Sequence, residues 1–113
     1  MFLTSFIFDK KEYDEDFYKL DKKIEEFSKD IAGFIGMESF TDVQSGRLIN
    51  NYYWDNREGL ELLMNNVEHL RAKEQSGKWI AGFQVVIAKI EGAHNVNLDH
   101  PLSEHPMRYR GEK

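Results

Sequence analysis

Hydrophobic positions change period several times along the chain, and each change marks an element. Phe2 to Phe8, within the opening MFLTSFIF, is short and dense in aromatic and branched apolar residues, which predicts a buried strand rather than a helix. From Asp14 the period lengthens. Phe17, Leu20, Ile24, Phe27 and Ile31 follow at steps of 3, 4, 3 and 4, the stripe of an amphipathic helix. Asp14, Glu15 and Asp16 put negative charge at its positive N-terminal end, and Gly33 marks its expected stop. FIGMESFTD and RLINNYYW then read as two strands of a hairpin joined through VQSG, whose glycine suits a positive φ. Asp55 and Glu58 match a capping box, followed at helical spacing by Leu60, Leu63, Met64 and Val67. Asn65-Asn66 is the expected break or kink, with VEHLRAKEQSG helical again as far as Gly77. KWIAGFQVVIAKIEG reads as a long closing strand. Beyond it, both prolines and three of the four histidines lie in an aperiodic stretch.

The order β-α-β-β-α-β predicts an α+β, ferredoxin-like domain over residues 1–92, an antiparallel sheet with helices on one face, followed by an extended C-terminal arm over 93–113. A sheet covered on one side should be polar on the other. Here it is apolar on both. Phe2, Phe6 and Phe8 oppose Leu3 and Ile7 in the first strand, and Trp79, Phe83, Val85 and Ile87 oppose Ile80, Val86, Ala88 and Ile90 in the last. A bare second face would exceed the apolar patch that monomers tolerate, so a homodimer packed sheet against sheet is expected, with the arm free to cross to the partner.

Composition narrows the function. A chain of 113 residues suits one core. Its 15 basic and 20 acidic residues give a net charge of −5, without the basic stripe of a nucleic-acid surface. Cysteine is absent, which removes thiol catalysis, cysteine-ligated metals and disulfides and fits a reducing compartment. The apolar start lacks the basic flank of a signal peptide and no stretch is long enough to span a membrane, so a cytoplasmic protein with no membrane partner is expected.

Three ordered pieces carry a resemblance. GFIGMES is similar to the pGFlGmes signature of the antibiotic biosynthesis monooxygenase family, YYWDNREGLELL resembles its syWeS strand-to-helix junction, and VEHLRAKEQSGKWIAGFQVVIAKIE its peHl…G..wy..y.v.va.ve closing segment. The likeness spans Ala32 to Glu91. It implies a dimeric α/β-barrel with a pocket between sheet and helices, and oxygenation of an aromatic or quinol-type substrate by dioxygen without metal or flavin. A haem-degrading branch combines a first-strand asparagine, a tryptophan in the second helix and a later histidine. Here Ser5 and Leu62-Leu63 stand at the first two positions and His69 falls about a turn early, which disfavours haem oxygenation by that triad; the alternatives are a non-catalytic dimeric binding protein for haem or an apolar ligand, or a haem-degrading monooxygenase in which His69 holds haem in another geometry.

The candidate site residues follow. His69, at the peH position, is the candidate base, since an unperturbed imidazole titrates at about 6.5, near working pH; the plainer alternative is a helix histidine beside Glu68 and Arg71. Asn50 and Asn51, unusual in a strand, point to opposite faces, and either could stabilise an enolate or serve a plain polar role. Trp54, Tyr52, Phe83 and Trp79 are candidate walls for a planar ligand, or ordinary core rings. The spacings of six and five among His94, His100 and His105 fit no familiar metal pattern, so none is expected.

Overall fold

Six elements follow in the order β1 (Phe2–Lys10), α1 (Glu15–Lys29), β2 (Phe34–Thr41), β3 (Leu48–Trp54), α2 (Arg57–Lys73) and β4 (Ile80–Lys89). The computed structural model describes residues 1–10, 15–73 and 80–105, by backbone alone at 10, 15–17, 20–21, 67–73 and 80–81. Gly77 and Trp79 therefore lie outside the described residues. The strands form one antiparallel sheet in the order β2-β3-β1-β4, the ferredoxin-like arrangement expected.

Register sorts the side chains. Phe6 stands opposite Asn50 on one side and Val85 on the other, so these lie on one face with Phe2, Thr4, Phe8, Tyr52, Trp54 and Met37. That face takes the helices. Phe6, Ile31, Tyr52, Trp54, Leu60 and Leu63 make the buried core, with Phe34, Met64 and Ile24 packed against it. Full burial of such side chains stabilises by about 1.5–3 kcal/mol each, so this layer holds the fold together.

Two junctions lock at one end of the layer. Gly33, at φ 93°, turns the chain out of α1 in a conformation that favours glycine, and its carbonyl accepts the Asp55 N–H at 2.7 Å. A Cβ at Gly33 would collide with the Asn56 amide, and one at Gly59 would lie 2.9 Å from both the Ala32 oxygen and the Trp54 ring. The helix cap differs from the expected Asp55–Glu58 box. Asn56 caps α2, its Oδ1 accepting the Gly59 N–H at 2.7 Å, because Asp55 is held by Gly33 and the helix begins at Arg57. Nor does α2 break at Asn65-Asn66. Asparagine costs a helix interior less than 1 kcal/mol, too little to outweigh the packing of Leu60, Leu63 and Met64.

The β2–β3 turn closes by hydrogen bonds from Asp42 N to Arg47 O and from Gly46 N to Asp42 O, both 2.8 Å. Gly46 has φ 76°, as its predicted turn role requires. The Asp42 carboxylate accepts from the Ser45 hydroxyl and N–H, which lowers its pKa.

The other face carries Leu3, Ile7, Ile49, Phe40, Val86 and Ala88, interrupted by one polar row running Glu38, Asn51, Ser5 across β2, β3 and β1. Phe40 and Val86 are exposed. Residues 93–105 fold back over their own chain's β2 and β3 as a strap. Pro101 sits against Gly36, where a Cβ would lie 2.9 Å from the proline ring, and Leu102 is buried. The part of the arm from residue 106 on lies outside the described residues.

Candidate functional site

Trp54 and Tyr52, the last turns of β3 on the helix-facing side, are wholly buried at 0% and 1% exposure. Trp54 meets Phe34 edge-on at 5.5 Å between centroids, and Tyr52 meets Phe6 at 5.7 Å and 87°. Gly59 at the start of α2 lets the helix approach the indole. These rings are central to the core.

Polar groups share this apolar layer. Asn50 is buried, and the Ser39 hydroxyl donates to its Oδ1 at 2.6 Å, which fixes the amide so that its NH2 group is the donating side. Thr4 is also fully buried. Three buried polar atoms have no partner among the described residues: Thr4 Oγ1, Trp54 Nε1 and Asn66 Oδ1. Thr4 faces Tyr52 across the strand pair, so Thr4 and Trp54 are diagonal neighbours on the helix-facing side. Asn66 lies three residues beyond Leu63 on α2, which packs over β1 and β3. A buried donor or acceptor left unpaired costs about 1–3 kcal/mol, so such atoms are few in folded proteins, and the usual partner is an ordered water or a ligand atom. The set offers an N–H donor, an amide acceptor and a hydroxyl that can do either.

Of the predicted residues, Trp54, Tyr52 and Asn50 come together in this layer. Asn51 projects from the opposite face. Phe83 is half exposed on β4, two strands and four residues from Tyr52 by register, which is about 16 Å at ordinary strand spacing and rise. It does not join Tyr52 and Trp54 in one wall. His69 lies on α2, but its side chain, like all of Trp79, is outside the described residues.

Sequence reasoning missed a second polar cluster, on the outer face. The Ser5 hydroxyl donates to Asn51 Oδ1 at 2.6 Å, and Asn51 Nδ2 to Glu38 Oε1 at 3.4 Å. Tyr53 donates its phenol to the same Glu38 oxygen at 2.6 Å. His100, from the strap, accepts the Leu102 N–H on Nδ1 at 3.0 Å. The neutral ring therefore carries its proton on Nε2, which lies 3.3 Å from both Glu38 Oε1 and Tyr53 Oη. Burial, then the hydrogen bond and negative charge of Glu38, push the Tyr53 phenol well above its ordinary pKa. Asn51 and Tyr53, two apart on one strand face, were the only local sign of this cluster; nothing near His100 announced it. His100 also helps line a recess of about 230 Å³ with Ala93, His94, Leu98 and Leu102. Among the described residues no three His, Asp or Glu side chains are grouped to hold a metal, and no helix is long and apolar enough to cross a membrane.

An antiparallel sheet in this order, with two helices on one face, is the fold of solved monooxygenases of antibiotic biosynthesis. The monooxygenase encoded by ActVA-Orf6 of Streptomyces coelicolor, solved with nanaomycin D, superposes with a TM-score of 0.61 over 85% of this chain and 92% of that one, at 15% identity. SnoaB, a cofactor-independent oxygenase from Streptomyces nogalater, gives 0.62 over 81% and 94%, at 9% identity. A Nitrosomonas europaea protein provisionally named an antibiotic biosynthesis monooxygenase gives 0.56 over 79% and 97%, at 16% identity. At these identities the likeness is one of fold. No protein family's sequence profile matches the chain, and no curated protein does.

Proposed function

We propose that this protein is a monooxygenase of the antibiotic biosynthesis type, oxygenating a small aromatic or quinol-like compound with dioxygen in the layer between sheet and α2, without metal or flavin. The observation that carries the reading is the pair of fully buried polar atoms without a partner among the described residues, Trp54 Nε1 and Thr4 Oγ1, on the helix-facing side of a fold shared with solved oxygenases. The chemistry balances simply. A base removes a proton from an activated ring carbon, the carbanion adds dioxygen, and loss of water leaves a carbonyl: one oxygen atom enters the product, the other departs with the two hydrogens. His69 is the proposed base. Asn50, on the helix-facing side and oriented by Ser39, is a better oxyanion partner than Asn51, and Trp54 N–H would hold a substrate oxygen. The outer faces of two chains would meet in a homodimer, covering Phe40 and Val86.

Purified metal-free protein, supplied in air with a panel of hydroxynaphthalenes and anthrones, should consume oxygen and insert one labelled atom from ¹⁸O₂. His69→Ala should slow this by about a hundredfold or more. Uptake unchanged in that variant removes the histidine from the mechanism. A stable Soret band on haem titration, with no member of the panel oxygenated, replaces the whole reading with a binding protein.

A further inference from the structure

Among the described residues β4 is an outer strand of the sheet, paired with β1 alone. Natural proteins protect such an edge with charge, proline or a bulge, since its free N–H and C=O groups otherwise template pairing with another chain. This edge has little of that protection. Ile80 to Ala88 contains no charged residue and no proline, and its register irregularity is confined to the end near Lys10. Along the regular part, Phe83 and Ile87 are 48% and 47% exposed on the helix-facing side, and Val86 is 41% exposed on the other. The helices pack over β1, β2 and β3, so among the described residues β4 extends past their cover.

We infer that β4 pairs antiparallel with β4 of a second copy, about a two-fold axis at Val85, to make one continuous eight-stranded sheet. The sequence is self-complementary in that register. Phe83 lies beside Ile87 of the partner subunit and Gln84 beside Val86 of the partner subunit, so the two half-exposed apolar side chains on the helix side cover each other. No charge faces a like charge, because the stretch has none before Lys89. Aromatic and β-branched neighbours are a favourable cross-strand pair. The axis is perpendicular to the sheet, so the helices of both copies stay on one side and the outer faces remain open to the stacking proposed above. The edge contact does not depend on that stacking or on catalysis.

The test is a charge swap read by sedimentation equilibrium at tens of micromolar. In F83K/I87K, each introduced lysine faces a lysine of the other copy, and the assembly should have half the mass of wild type. In F83K/I87E, each lysine faces a glutamate, and the wild-type mass should return. If the outer faces also stack, the two species are tetramer and dimer; if they do not, dimer and monomer, so the halving is read either way. Equal mass for wild type and F83K/I87K overturns the inference. So does halving in both variants, which would show that only apolar surface was lost. Should a variant lose its far-UV circular dichroism, hydrogen exchange of the wild type decides: protection of amides 82–88 that rises with protein concentration supports the pairing, and protection independent of concentration refutes it.

Discussion

Replacing Thr4 by valine should make the protein more stable and a poorer binder at once. The hydroxyl is fully buried on the helix-facing side of β1 and has no partner among the described residues. Leaving it unpaired costs about 1–3 kcal/mol. Valine has the same branched shape and the same stiffness at χ1, so neither cavity nor strand propensity changes, while the added methyl brings up to about 0.8 kcal/mol of burial. A gain of about 2 kcal/mol is expected, near 1 M in urea midpoint and about 8 °C in Tm for a domain of this size. Thr4→Ser, which keeps the hydroxyl and loses the methyl, should move the other way by about 1 kcal/mol. If the hydroxyl meets a ligand, the same valine should weaken ligand binding by about fivefold, one hydrogen bond's net worth. Urea unfolding followed by intrinsic tryptophan fluorescence, from Trp54 and Trp79 together, measures the first effect. A valine variant no more stable than wild type would refute the reasoning, because it would mean that the hydroxyl already has a partner in the free protein.

Gly33→Ala should destabilise by more than about 1 kcal/mol, since the backbone there is left-handed and a Cβ would displace the Asn56 cap; thermal unfolding measures it. His100→Ala removes the acceptor for Leu102 N–H and a neighbour of Glu38, so amides of the strap should exchange faster by hydrogen-exchange mass spectrometry while those of β1 and β3 do not change. The raised Tyr53 pKa sets an alkaline limit. The folded phenol keeps its proton while the unfolded one loses it above about pH 10, so its contribution is complete below that pH and falls as pH climbs toward the folded value; Tyr53→Phe should flatten the loss of stability above pH 10.

Much of the fold was legible because period alone separates these strands from these helices. Phe2–Phe8, the Phe17–Ile31 stripe and the VQSG turn each carry their own local signal. The strap was not legible. It is built from contacts between His100 and Pro101 and residues 47 to 65 positions earlier, which no local pattern encodes. The cap shifted from Asp55 to Asn56 for a similar reason: Gly33, distant in sequence, claims the Asp55 amide. In the site, alternation placed Asn50 and Asn51 on opposite faces. Phe83 failed as a companion of Tyr52 because a shared face does not make shared space when two strands and four residues intervene. The unpartnered atoms of Thr4 and Trp54 could not be foreseen, since hydrogen-bond satisfaction belongs to the packed molecule.

The locked junctions of Gly33, Asn56 and Gly59 bear on how a molecule could reach that layer. With the exit of α1 and the start of α2 bound to each other and Gly59 resting on the Trp54 ring, the two helices are hinged together at that end. Were α2 to part from the sheet to admit a compound, as the proposed function requires, the gap would grow away from that end, past Met64 and Asn66, as a book opens away from its spine. On that reading a compound would enter with its leading edge toward Trp54, and the largest molecule accepted would be set by how far the later turns of α2 lift from the sheet.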